Sequence, residues 1–79
     1  MRPPAYEVRG EIAARPAPDL LLVRHEAVPG LGMAAMELMA VAAEPALVDA
    51  SGARPGDRVR LAVRERGGGL TLLRIEVIR

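Results

Sequence analysis

The sequence contains no cysteine, which excludes disulfide bonds and thiolate metal sites. It has no Phe, no Trp and no Lys, and Tyr6 is its single aromatic residue, so stacking platforms for nucleic-acid bases are missing. No apolar run reaches the ~18 residues of a membrane-spanning helix, and residues 1–10 lack the apolar stretch of a signal peptide. Eleven arginines against ten acidic residues give a formal net charge of +1, which predicts no general attraction to nucleic acid or to an anionic membrane.

The length and composition predict a single domain. The chain has 79 residues, of which 51% are hydrophobic, so disorder is excluded but there is no room for a second core. Because no disulfide can brace so small a domain, close packing or barrel closure must stabilise it. We expect residues 1–4, with two prolines, to be a flexible lead-in and residues 5–79 to form the domain.

Strands are predicted along most of the chain from apolar–polar alternation or a short apolar run. These stretches are residues 5–12, 20–25, 58–66 and 70–78. In the last stretch the alternation predicts that Leu73, Ile75 and Val77 face one side of the sheet. The three glycines 67–69 predict a hairpin between the last two strands.

The remaining segments are predicted to be connections, apart from one ambiguous stretch. Prolines and an aspartate predict a turn over residues 15–19, and residues 45–57 form a long connection with room for one helical turn. Residues 33–44 are rich in Ala, Leu, Met and Glu, which favours a helix of about three turns. A strand is the alternative; it would complete a small five-stranded barrel, whereas a helix would pack across a four-stranded sheet.

The side chains suited to a soft metal ion are concentrated in one short segment. His25 is the single histidine, and Met33, Met36 and Met39 are the only methionines besides the initiator. Thioether sulfur and neutral imidazole together favour Cu(I) over harder ions. The cluster therefore predicts a metal site. No nucleophile–base pair, phosphate-binding loop or paired carboxylates are evident, so we do not expect an enzyme.

The spacing of these residues resembles the CusF-like family of periplasmic copper- and silver-binding domains. Its ligand pattern is a histidine, seven residues, a tryptophan or methionine, two residues, and then Met-x-Met. Here His25 is followed by seven residues, Met33, two alanines and Met36. The flanking VPGLG before Met33 and the RPGDRV of residues 54–59 are also similar to the family. The resemblance covers residues 6–78 and implies an all-β, five-stranded barrel of the oligonucleotide-binding type, with residue 36 on a strand.

The sequence departs from the family at several positions of the motif. Leu38 stands at the second methionine of Met-x-Met, and Met33 takes the place that tryptophan often holds. On a regular strand, Met36 and Leu38 would face one side and Met39 the other, with Leu38 lining the site without a donor. A bulge near Glu37 would instead bring Met39 to the ligand face as a third sulfur, and without it Met39 would be packing.

The resemblance implies an uncharged Cu(I) or Ag(I) site formed by His25, Met33 and Met36, with Met39 as the uncertain fourth member. The implied function is a carrier, or a metal-binding domain of a heavy-metal efflux system, that holds the ion for transfer. Its partner would be an efflux-pump adaptor protein, and its location would be periplasmic, with the export signal absent from this chain. The alternative is a degenerate barrel that serves as a protein-interaction module without metal. Nucleic-acid binding through the arginines of residues 58–66 is disfavoured because aromatic residues are lacking.

Overall fold

The computed structural model describes residues 5–26 and 36–78, and for residues 36 and 37 it describes the backbone. The protein folds as a closed five-stranded barrel. Its elements are β1 (Ala5–Ala17), β2 (Leu20–His25), β3 (Met36–Ala42), α1 (Pro45–Ser51), β4 (Arg58–Arg66) and β5 (Gly69–Val77). The strand order around the barrel is β1-β2-β3-β5-β4. All neighbouring pairs are antiparallel except β3 and β5, which are parallel.

The predicted five-stranded barrel is confirmed, and the helix considered over residues 33–44 is wrong where the structure describes that segment. β3 occupies Met36–Ala42 because it pairs with β2 along its length and buries Met39 and Val41 inside the barrel. Barrel closure and this burial outweigh the helix preference of Ala, Leu and Met.

Of the two predicted connections, the first is shorter than expected and the second contains a helix, for which the sequence left room. β1 continues to Ala17, so only Pro18 and Asp19 form the turn that was predicted over residues 15–19. Pro16 is tolerated because the β1–β2 register is irregular between Ala14 and Ala17, where a proline does not break a regular ladder. The long connection contains α1, a seven-residue helix that begins with Pro45.

The helix α1 packs against the barrel and contacts β5. Val48 is its fully buried residue and joins the barrel core. The helix ends at Gly52, whose φ of 71° suits a residue without Cβ. The core is otherwise formed by Ala43, which directly follows β3, and by the inward residues of all five strands, which are Val8, Ile12, Leu21, Val23, Met39, Val41, Val59, Leu61, Val63, Leu72 and Ile75.

The alternation predicted for the last strand is interrupted by a bulge. Leu61 pairs with Ile75 and Val63 pairs with Leu72, so β5 has one extra residue in this stretch. Leu72 is therefore buried (4% exposed) and Leu73 is turned outward (37% exposed). The prediction that Leu73 shares a face with Ile75 was wrong for this reason, since Ile75 is buried and Leu73 is not.

Among the described residues, no helix has the length and apolar character needed to cross a membrane.

Candidate metal site

His25 and Met36 are placed opposite each other by the pairing of β2 with β3. Their Cα atoms are register partners at the end of the ladder, and the next pair is Val23 with Met39. Residues 37 and 38 of β3 therefore face the single residue Arg24 of β2, and these two residues form a β-bulge. The strands thus bring His25 next to the backbone of Met36.

The bulge decides which side of β3 faces the barrel interior beyond residue 36. Met39 is 4% exposed and belongs to the core, whereas Leu38 is 50% exposed. The expectation from a regular strand, with Leu38 lining the site and Met39 on the other face, is therefore wrong for these two residues. Because Met39 pairs with Val23, it lies diagonally from His25, at a distance that long side chains can bridge on one face of a sheet.

The imidazole of His25 is buried, with 5% of the residue exposed. Its Nδ1 lies 2.6 Å from the backbone oxygen of Glu26. A carbonyl oxygen only accepts, so Nδ1 is the donor in this contact, and in the neutral imidazole the lone pair is then on Nε2. The backbone of Glu26 is itself held by β1, because the N–H of this residue donates to the carbonyl of Arg9 at 3.0 Å.

The other ring nitrogen of His25, Nε2, can donate its lone pair to a metal ion. Nε2 is buried, and it has no hydrogen-bond partner within the described part of the chain. A buried acceptor without a partner is costly unless something binds it. The fixed tautomer therefore presents an unprotonated nitrogen to the interior, which is the form of imidazole that ligates metals.

The side chain of Glu26, unlike its backbone carbonyl, makes no hydrogen bond to the His25 ring. The Glu26 carboxylate is exposed and lies 4.0 Å from the Arg58 guanidinium on the surface. Over residues 5–26 and 36–78, no three His, Asp or Glu side chains are grouped as a metal site. The role of the Glu26 carbonyl was missed by sequence reasoning, because every residue has such a group and only the fold shows which one meets the ring.

The structure brings together some of the predicted site residues. His25 and the backbone of Met36 are neighbours, and Met39 lies in the core beside them. Met33 lies outside the described residues.

The fold defines a small closed β-barrel that carries an inward histidine on β2 and a methionine-bearing partner strand. The family described as copper binding periplasmic protein CusF matches residues 5–77 of this chain. The chain belongs to this family.

Solved structures from Escherichia coli and Cupriavidus metallidurans have the same fold. Apo-CusF residues 6–88 from Escherichia coli, at 1.5 Å, has a TM-score of 0.85 at 18% identity, covering 99% of this chain and 92% of that one. The C-terminal domain of SilB from Cupriavidus metallidurans, solved in solution, has a TM-score of 0.80 at 31% identity, covering 96% and 90%. CusF–Ag(I) residues 10–88 from Escherichia coli, at 1.0 Å, has a TM-score of 0.83 at 16% identity, covering 99% and 96%. Among curated protein sequences, no significant match to this chain is found.

Proposed function

We propose that this chain binds Cu(I) or Ag(I) through His25, Met33, Met36 and Met39 and carries the ion in the periplasm as part of a heavy-metal efflux system. The observation that carries the proposal is the buried Nε2 of His25, which has no partner among the described residues, while Nδ1 lies 2.6 Å from the Glu26 carbonyl and β2 pairs with the strand of Met36. A soft monovalent cation would satisfy this nitrogen together with the neighbouring thioethers.

The donor set suits a transported ion rather than a permanently held one. Imidazole in this tautomer and thioether sulfur bind without losing a proton, so no thiolate-like proton release accompanies binding. The ligands are uncharged and leave the charge of the cation only partly compensated. We therefore expect weaker and more exchangeable binding than a thiolate site provides.

Membership of the family supports the choice of ion, and the Ag(I) complex of Escherichia coli CusF is a relative of the same fold. The efflux role and an adaptor protein as the receiving partner rest on the family resemblance. A periplasmic location fits a family whose description is that of a periplasmic protein.

Titration with Ag(I) tests metal binding directly. We expect the wild-type protein to bind one equivalent and His25→Ala to bind at least ~10-fold more weakly, since the substitution removes the nitrogen donor. Val63→Ala is the matched control, because it also removes buried volume but lies away from the site. The β4 residue at the level of His25 is Val59, since both pair with Gly10, and Val63 is four residues further along β4, or about 13 Å. Equal affinity in wild type and His25→Ala would overturn the proposal and favour a barrel that acts as an interaction module without metal.

The transport role needs a separate test in cells. An exported form of the chain should restore silver tolerance to a bacterial strain that lacks its own periplasmic silver carrier, and the His25→Ala form should not. If both forms restore tolerance equally, a carrier role through this histidine is excluded.

A further inference from the structure

Gly10 of β1 lies directly opposite His25 of β2. The two residues are register partners, and Gly10 pairs with Val59 of β4 on its other side. Gly10 is buried and occupies an inward position between Val8 and Ile12. A residue at this position of a barrel would normally fill the core with an apolar side chain.

A side chain at position 10 has no space. A Cβ built there would lie 1.9 Å from the carbonyl oxygen of Arg24 and 2.9 Å from the Cα of His25. Both contacts are with backbone, so no rotamer change can relieve them, and the two strands would have to separate. At Gly69, in contrast, the nearest atom to a built Cβ is 3.9 Å away.

The close approach of β1 and β2 is connected by hydrogen bonds to the position of the His25 imidazole. The residue before Gly10, Arg9, accepts the N–H of Glu26 at 3.0 Å, and the carbonyl of the same Glu26 accepts the Nδ1–H of His25 at 2.6 Å. Separating β1 from β2 at position 10 would pull on this chain of hydrogen bonds. The ring would then lose the contact that keeps the lone pair on Nε2.

We infer that Gly10 is a positioning residue for the metal-binding nitrogen: its missing side chain lets β1 hold the backbone of Glu26, through its N–H, where its carbonyl fixes the tautomer and direction of the His25 ring. This inference rests on the proposed function for its consequence in metal binding. Its structural part, the tautomer of His25, is a property of the metal-free protein.

The first measurement is ¹⁵N NMR of the His25 ring in the metal-free wild-type protein at a pH where the ring is neutral. We expect the Nδ1–H form and a strong contact between the α protons of Gly10 and His25. The Nε2–H form in the wild type would overturn the inference without any variant, so the test does not depend on a variant that folds.

The second measurement compares Gly10→Ala with two controls. We expect Gly10→Ala to populate both ring tautomers and to bind Ag(I) roughly 10- to 100-fold more weakly, the range typical of changes to groups that orient a metal ligand. Gly69→Ala makes the same chemical change where space is available, and Val63→Ala destabilises the core elsewhere. Both controls should keep the wild-type tautomer and affinity.

The outcomes separate this inference from the proposed function. If Gly10→Ala keeps the wild-type tautomer and affinity, Gly10 does not position the ring and the inference is overturned. A wild-type protein that fails to bind Ag(I) removes the proposed function, whereas a tautomer change in metal-free Gly10→Ala would still support the positioning role.

Discussion

At the scale of single residues, the bulge in β3 changes which side chains can serve as ligands. The family motif has a methionine at the position of Leu38, but Leu38 is half exposed and Met39 is buried in its place. The extra residue at positions 37 and 38 causes this exchange, because it reverses the alternation of the strand beyond it. The thioether of Met39 is therefore the candidate for the sulfur that Leu38 cannot supply.

Met39→Leu tests this role because leucine keeps the core volume and removes the sulfur. We expect the free energy of unfolding to change by less than about 1.5 kcal/mol, as is usual for a swap of similar volume. Ag(I) affinity should fall roughly tenfold if a donor is lost, as measured by competitive titration. An unchanged affinity would show that Met39 only packs in the core.

Leu38→Met, at the position before Met39, tests whether the family motif or the bulge in β3 determines which residues are ligands. It restores the Met-x-Met pattern of the family, but at a position whose side chain is turned to solvent. We therefore expect no gain in Ag(I) affinity and little change in stability. A clear gain in affinity would mean that residue 38 reaches the site and that the register of β3 differs from the one described here.

At the scale of elements, the bulge in β5 has a similar effect on two adjacent leucines. Leu72 belongs to the core, whereas Leu73 is the extra residue and faces outward. A sequence of two leucines contains no sign of which one is inside. The strand pairing decides it, because Leu72 is the residue aligned with Val63.

Leu72→Ala and Leu73→Ala form a matched pair for this bulge. We expect Leu72→Ala to lower the free energy of unfolding by about 2–5 kcal/mol, since it leaves a cavity in the core. Leu73→Ala should cost about 1 kcal/mol or less, because its side chain is partly exposed. Urea denaturation of both variants measures the difference, and equal losses would contradict the bulged register.

The elements differ in how far their sequence determines them. β4 was predictable because Val59, Leu61 and Val63 alternate with arginines, apart from Ala62, and the face that carries these three residues is buried. β3 was not predictable from local preference, since Ala, Leu and Met favour a helix and only pairing with β2 makes it a strand. The bulge near Glu37 was one of two alternatives that the sequence left open, and the bulge in β5 was not predicted, because an extra residue in a ladder depends on the partner strand.

The candidate site was predictable to a similar extent. The spacing from His25 to Met36 gave the residues, and the β2–β3 register places their backbones side by side. The tautomer of His25 and the close approach at Gly10 were not predictable. Both depend on backbone groups of β1 and of Glu26 that have no signature in the sequence.

At the scale of the whole molecule, barrel closure depends on a narrow seam. β3 and β5 are joined by two register pairs, Val41 with Leu70 and Ala42 with Thr71, whereas the β1–β4 ladder has seven. The ion pairs on the barrel surface, such as Arg60 with Glu7 and Glu76, are partly exposed and contribute little to stability. Core packing therefore supports the barrel, and the seam is its weakest closure.

Hydrogen exchange of the native protein tests this view of the seam. We expect the amides between β3 and β5 to exchange by local opening, at lower free energy than the amides between β1 and β4, because few bonds must break there. The readout is the exchange free energy of individual amides in NMR spectra. Equal protection in both ladders would contradict a weak seam.

¹⁵N NMR of the His25 ring during addition of one equivalent of Ag(I) shows whether Nε2 binds a soft metal ion. We expect a large shift of the Nε2 resonance that is complete at one equivalent, while Nδ1 keeps the proton that it donates to the Glu26 carbonyl. Ring nitrogens that stay at their metal-free positions at one equivalent, or a shift of Nδ1 in place of Nε2, would contradict it.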